Sequence, residues 1–258
     1  MKAVYGSRSN DRGVSESIGF LLIFTIVIAG IGLVSLYGYP LLIKQQVSAD
    51  EKIMEKNMIV LQNDVKSLAY KTVPFKETSL KIGSGSLTVY NSSYDPTNSP
   101  SLTINYPTTG TTVVNSFKSG ELRYESVSSQ TDISLQNGAV VMRPRSQSGS
   151  TMLAEPRWFY DETTRTMVIP LISISSDNII AREGIGTVRM KLNETDYDSF
   201  DFNDGTVTVT YNPSTGGYST AWGNYFTNTI KMSGTGPYTR DHVNKLVIKK
   251  YEIKIESI

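Results

Sequence analysis

The sequence predicts an α+β protein, a long N-terminal hydrophobic helix followed by a mainly antiparallel, sandwich-like β head. Three observations predict it. No charged side chain stands between Ile18 and Tyr37, and an α-helix needs about twenty apolar residues to cross the hydrocarbon of a bilayer. From Leu41 to Tyr70 apolar residues keep a helical period, with Val47, Met54, Leu61 and Leu68 seven residues apart. At Val73-Pro74 the period falls to two, and short alternating segments punctuated by Gly, Pro, Ser and Asn follow.

Composition bounds the function. The 258 residues are 39% hydrophobic and 19% charged, enough for an anchor plus one medium β domain or two small ones. A net charge of +1 argues against the basic stripe of a nucleic-acid-binding protein, and no P-loop, GxGxxG or zinc-type spacing occurs. There is no Cys, so an exported portion would depend on its core, its hydrogen bonds or its neighbours rather than on disulfides.

Taken in order, residues 1–13 form a short polar leader carrying Lys2, Arg8 and Arg12 against the single acid Asp11. Basic residues beside a membrane helix stay on the cytoplasmic side, which places the leader inside and the polar bulk outside. A secretory signal peptide has its small-residue cleavage site after the apolar region; here the small residue Gly13 follows Arg12 and precedes it. Within the apolar run Thr25, Ala29, Gly32 and Ser35 share one helical face, and small faces let helices approach closely in lipid. Gly38-Tyr39-Pro40 predicts a kink near residues 38–40, since proline removes a backbone donor. The helical region is expected over 14–72. Met58 and Val65 fill the stripe of Val47, Met54, Leu61 and Leu68, with Lys44, Lys52, Lys56 and Lys66 off it. That stripe wants a partner, either the chain's own sheet or the equivalent helices of neighbouring subunits.

The β head is expected over 73–258. Leu80-Ile82 and Leu87-Val89 flank Gly83-Ser84-Gly85 as a hairpin would. Further strands are expected at Leu102 to Ile104, Thr112 to Phe117, Leu122 to Tyr124 and Ala139 to Met142. Strands at Trp158-Phe159-Tyr160 and Thr166 to Ile174 surround the turn Asp161 to Thr164. Thr187 to Leu192 should pair with Thr206 to Tyr211 across a polar connection. Thr229 to Met232 and Lys245 to Glu256 close the series, with a bulge expected at Lys249-Lys250 where alternation breaks. A β sandwich or a wrapped antiparallel sheet would accommodate these strands. Pro144 to Thr151 reads as a long loop or a boundary between two β halves.

Arg12-Gly13-Val14, the acid Glu16, the apolar helix, its amphipathic extension and the β head together resemble a type IV pilin of archaea, with its class III signal peptide. The resemblance covers roughly the first quarter of the chain. It implies that a prepilin peptidase cuts between Gly13 and Val14, that the protein lies in the cell membrane before assembly, and that identical or related subunits then pack their helices into an extracellular filament with the heads outward. Assembly would involve Glu16, Thr25, Ala29, Gly32, Val47, Met54, Leu61 and Leu68. Bacterial pilins place a glutamate fifth after the cut; here Glu16 is third and Ile18 fifth. The head is large for a major pilin, which points to a minor pilin, an adhesive subunit or an unusual filament.

Other signals are weighed against ordinary readings. His242 is the only histidine and no nucleophile motif accompanies it, so no enzyme and no cofactor is expected. Asp196, Asp198, Asp201 and Asp204 with Gly205 lack EF-hand spacing, and Asn203-Asp204-Gly205 is ordinary turn chemistry, so no metal is expected. Asn91-Ser92-Ser93 and Asn193-Glu194-Thr195 match the glycan acceptor triplet. Tyr211, Tyr218, Trp222, Tyr225 and Phe226 read as core and turn rather than as a carbohydrate platform. The expected function is a structural filament subunit that displays its head to an external surface or glycan. The competing class is a monomeric membrane-anchored surface receptor or binding protein.

Overall fold

Three consecutive helical segments follow from the first apolar run: α1 (Asp11–Leu33), a π-helical turn (Val34–Gly38) and α2 (Tyr39–Tyr70). The computed structural model describes residues 11–71, 73–91, 99–107, 111–213 and 217–258, with side chains from Ser17 onward. It divides into two compact units, Met1–Ser48 and Ala49–Ile258.

In the first unit the helix does not break at Gly38-Tyr39-Pro40. Pro40 has no N–H, and its ring crowds the carbonyl four residues back. The backbone absorbs this one turn earlier, where Tyr39 N–H donates to Val34 O, the wide spacing of a π turn.

In the second unit one face of α2 is buried, with Met54, Met58, Leu61, Val65 and Leu68 each at most 2% exposed. Burying such a side chain is worth about 1.5–3 kcal/mol, so this stripe holds the helix to the sheet. Among the described residues the sheet has eleven strands: β1 (Phe75–Tyr90), β2 (Ser101–Asn105), β3 (Thr112–Lys118), β4 (Glu121–Ser126), β5 (Thr131–Gln136), β6 (Ala139–Pro144), β7 (Thr151–Ala154), β8 (Phe159–Asp161), β9 (Thr166–Ser175), β10 (Ala181–Asn212) and β11 (Tyr238–Ser257). Their order is β7-β6-β5-β4-β1-β10-β11-β9-β8, with β2 on β10 and β3 on β2. All pairs are antiparallel except β9 with β11.

The sandwich-like head is made by one sheet that wraps. In the strand order β9 is separated from β4 and β5 by β1, β10 and β11. Yet Ile174 N–H donates to Ser119 O at 2.7 Å just before β4, and Ile172 N–H donates to Asn137 Oδ1 at 2.8 Å just after β5. Two apolar cores result. One gathers the α2 stripe with Leu80, Ile82, Leu87, Val89, Ile172 and Ile253. The other surrounds α3 (Ser219–Asn224) and the π turn Tyr225–Thr229, and includes Met167, Ile169, Leu246 and Ile248. Pro144 to Thr151 connects the antiparallel neighbours β6 and β7, and both cores draw on residues from either side of it.

Four expectations are corrected. Gly83-Ser84-Gly85 is not a hairpin: β1 runs through it, pairing with β10 on both sides, and its register slips at Gly83. The bulge keeps Leu80, Ile82, Leu87 and Val89 in one core although the first pair is even-numbered and the second odd. Thr187–Leu192 and Thr206–Tyr211 do not pair, because both belong to β10, whose intervening polar stretch pairs with β11. Lys249-Lys250 is no bulge; β11 keeps register with both neighbours there. Alternation breaks because Leu246 and Ile248 face one core and Tyr251, Ile253 and Ile255 the other. Thr229 to Met232 is not a strand, since the π turn reaches Thr229.

Candidate functional site

The first candidate is the apolar helix itself. Every large apolar side chain from Ile18 to Ile43 is exposed, Phe20 at 72% and Leu36 at 71%. An 18-residue window there has a mean hydropathy of 2.6 and none of it is buried. Exposed apolar surface on this scale marks contact with lipid or another protein. The backbone needs no water, since the helix satisfies it internally, and Thr25 Oγ1 donates to Leu21 O at 2.7 Å, which satisfies its hydroxyl too. Ala29 and Gly32 stand on the same bare helix, and nothing lies within 4 Å of a Cβ built on Gly32. Arg12, Gly13, Val14 and Glu16 lie in α1, but their side chains fall outside the described residues.

The amphipathic stripe belongs elsewhere. Met54, Leu61 and Leu68, expected to serve assembly, are buried in the chain's own core and cannot also meet a neighbouring subunit. Val47 is half-exposed. The two glycan triplets differ as well. Asn91 is 6% exposed and its Nδ2 donates to Ser176 O at 2.6 Å, which removes it as an open acceptor in the folded head. Asn193 is exposed, next to a register slip of β10, and donates to Glu252 Oε2 at 3.1 Å.

The acidic run does not converge. Lys250 Nζ reaches Asp196 and Asp198 at 3.0 and 2.9 Å, Lys245 reaches Asp201 at 3.2 Å, and Asp204 meets His242 Nδ1 at 2.8 Å and Arg165 at 3.4 Å. These are cross-strand ion pairs between β10 and its surroundings, and no group of three His, Asp or Glu suited to a metal occurs among the described residues. Hydrogen bonding by Lys250 and then by the Tyr197 N–H holds the Asp196 carboxyl below its usual range. His242 is exposed. Tyr218, Trp222, Tyr225 and Phe226 are buried in the second core and Tyr211 is half-buried, its ring 5.3 Å from Trp222.

Sequence reasoning missed a buried ionic layer across β4, β5 and β6. Arg123 pairs with the fully buried Glu121 and reaches Glu125 at 3.2 Å. Ser134 Oγ donates to Glu121 Oε2 at 2.5 Å, and Asp132 takes Arg143 and Arg145, each at 3.1 Å. The alternation of Glu121, Arg123 and Glu125 was the available signal: a period of two in charged residues places them on one strand face.

A family model described as a family of unknown function (DUF7289) matches residues 12–253. No curated protein and no solved structure matches the chain.

Proposed function

We propose that this chain, which belongs to the DUF7289 family of unknown function, is a structural subunit of an archaeal type IV pilus-like surface filament. The observation that supports this reading is the bare apolar helix from Ile18 to Ile43, which has no cover within its own unit and carries a face of small residues. The role is mechanical. The helix enters the membrane first; a prepilin peptidase removes the leader after Gly13; helices of identical or related subunits then pack into a core that displays the β heads outside. Close approach would run along Thr25, Ala29, Gly32 and Ser35. In such a core an acid at Glu16 costs several kcal/mol unless paired, and the new α-amino group of Val14 on a neighbour supplies the partner.

The test is the mass of the subunit recovered from surface filaments, together with filament yield. The reading expects a subunit beginning at Val14, and Gly32→Leu or Glu16→Ala chains that are exported and cleaved but assemble poorly. A chain that retains Met1 and stays a membrane monomer would replace this reading with the membrane-anchored binding protein.

A further inference from the structure

Lys76, Lys81, Arg189, Lys191, Lys245, Lys250 and Lys254 each have a carboxylate within 4 Å. Arg157 and Lys249 have no such partner among the described residues, and both line the same cavity of about 300 Å³. Its other walls are aromatic or apolar: Tyr70 at the end of α2, Phe159 on β8, Pro170 on β9 and Tyr251 on β11. The Arg157 guanidinium stands 5.3 Å from the centroid of the Tyr70 ring, and Tyr70 meets Tyr251 edge to face at 5.5 Å. Phe159 is half-exposed, so an aromatic surface is open at the cavity. A third cation is close enough to feel Arg157: burial, and then the Arg157 charge, hold Lys66 below its usual pKa. Burial raises both phenols, Tyr70 and Tyr251, which stay protonated as hydrogen-bond donors.

We propose that this cleft binds an acidic saccharide, a pyranose ring bearing a carboxylate, with the carboxylate taken by Arg157 and Lys249 and the C–H face of the sugar laid on Phe159. The volume is at the lower end of small-ligand pockets and suits one ring. Guanidinium and ammonium groups make strong, charge-assisted hydrogen bonds to carboxylates, and aromatic groups beside a few placed polar ones give a site both stacking and orientation. The hydroxyls of Tyr70 and Tyr251 can serve the sugar's own. An acidic peptide fits less well. Peptides that bind a sheet add to its edge, and the edge beside the cavity is β8, only Phe159–Asp161. The proposal concerns the head alone and stands whether or not the helices assemble.

The test is calorimetric titration of the full chain in non-ionic detergent with trimers of galacturonic and of glucuronic acid. Galactotriose, a hexaglutamate peptide and inorganic sulfate are titrated in parallel. At least one uronate trimer is expected to bind at least tenfold more tightly than galactotriose, the peptide or sulfate. Arg157→Gln and Lys249→Gln should each weaken it at least tenfold and abolish the preference over galactotriose, while Phe159→Ala weakens acidic and neutral sugars together. Filament yield of these variants should match the parent, which separates this site from assembly. The proposal is overturned if neither uronate binds, if galactotriose binds equally, if the double variant Arg157→Gln/Lys249→Gln keeps full affinity, or if the peptide or sulfate binds as tightly.

Discussion

Asp50 and Gly83 are packed so closely that a Cβ placed on Gly83 would stand 3.1 Å from the Cβ of Asp50. Gly83 also has a φ of 71°, in the region where side chains are strained. The glycine therefore does two things at once: it lets β1 slip register, and it admits the buried Asp50 on α2, which pairs with Lys81 at 3.2 Å.

Gly83→Ala should destabilise the head by about 1–3 kcal/mol, the usual cost of holding a side chain in such a conformation. Urea unfolding of the full chain in detergent, followed by the fluorescence of Trp158 and Trp222, measures it. Both tryptophans are buried in the head, so the signal reports that unit. An unchanged midpoint would show that the bulge relaxes freely.

Leu61 is fully buried in the first core. Leu61→Ala should cost about 2–5 kcal/mol, as large cavities in packed cores do, and Leu61→Asp should abolish folding of the head by burying an unpaired charge. Val47→Ala, at a half-exposed position, should stay within about 0.5 kcal/mol. The same urea series separates the two positions; equal effects would mean that the stripe is not packed as described.

Lys250 links the head to pH. Its hydrogen bond with Asp198 chiefly raises its own pKa, with that to Asp196 adding to it, and it is the leading cause of the depressed Asp196 carboxyl. A carboxyl depressed in the folded state stabilises above its unfolded pKa, about 3.9, and loses that contribution as pH falls through the lower folded value. The raised lysine stabilises below its unfolded pKa, about 10.4, and loses that contribution as pH rises through the higher folded value. Lys250→Met should therefore be less stable than the parent between those limits and converge on it in acid below the folded Asp196 pKa. Carbon-13 NMR titration should show the Asp196 carboxyl moving up toward its ordinary value. Salt should narrow the difference, because Asp196 is exposed and Lys250 and Asp198 are partly so.

Of the two glycan acceptor triplets, Asn193 is expected to carry any glycan that the native host attaches, and Asn91 none. Peptide mass spectrometry of the protein from its own cell checks this, with Asn193→Gln removing the modification. Asn91→Ala should instead destabilise the head by about 1–3 kcal/mol, since it strips a hydrogen bond from the buried pairing with Ser176. A glycan on Asn91 would show that modification precedes folding.

The helix and β2 were legible because their burial is one-sided: Met54 to Leu68 repeats every three to four residues over one covered face, and β2 buries Leu102 and Ile104 in alternation. β9 was legible for another reason, an apolar run that two cores bury. What misled the reading has physical causes. β5 is buried on both faces, and Asp132, Ser134 and Gln136 fill one of them, so few apolar residues marked it. The overlooked mark was Asn137-Gly138, whose φ values of 45° and 71° close the β5–β6 hairpin. The middle of β10 looked like a connection because Asp196, Asp198 and Asp201 are polar, yet lysines across β11 hold it in the sheet. The cleft of Arg157 and Lys249 left no motif, because its residues come from four separated elements.

Tyr238–Ser257, the last strand in the sequence, lies inside the sheet between β10 and β9. In the strand order β9 and β8 join the rest of the sheet through it, so their place in the sheet depends on a strand made later than either. The apolar helix, near the N-terminus, is made long before that moment. Sheet completion is a late event that closes contacts between distant residues, and such closures are slow. The head is therefore finished by the strand that enters between β10 and β9, after the rest of the sheet has been made.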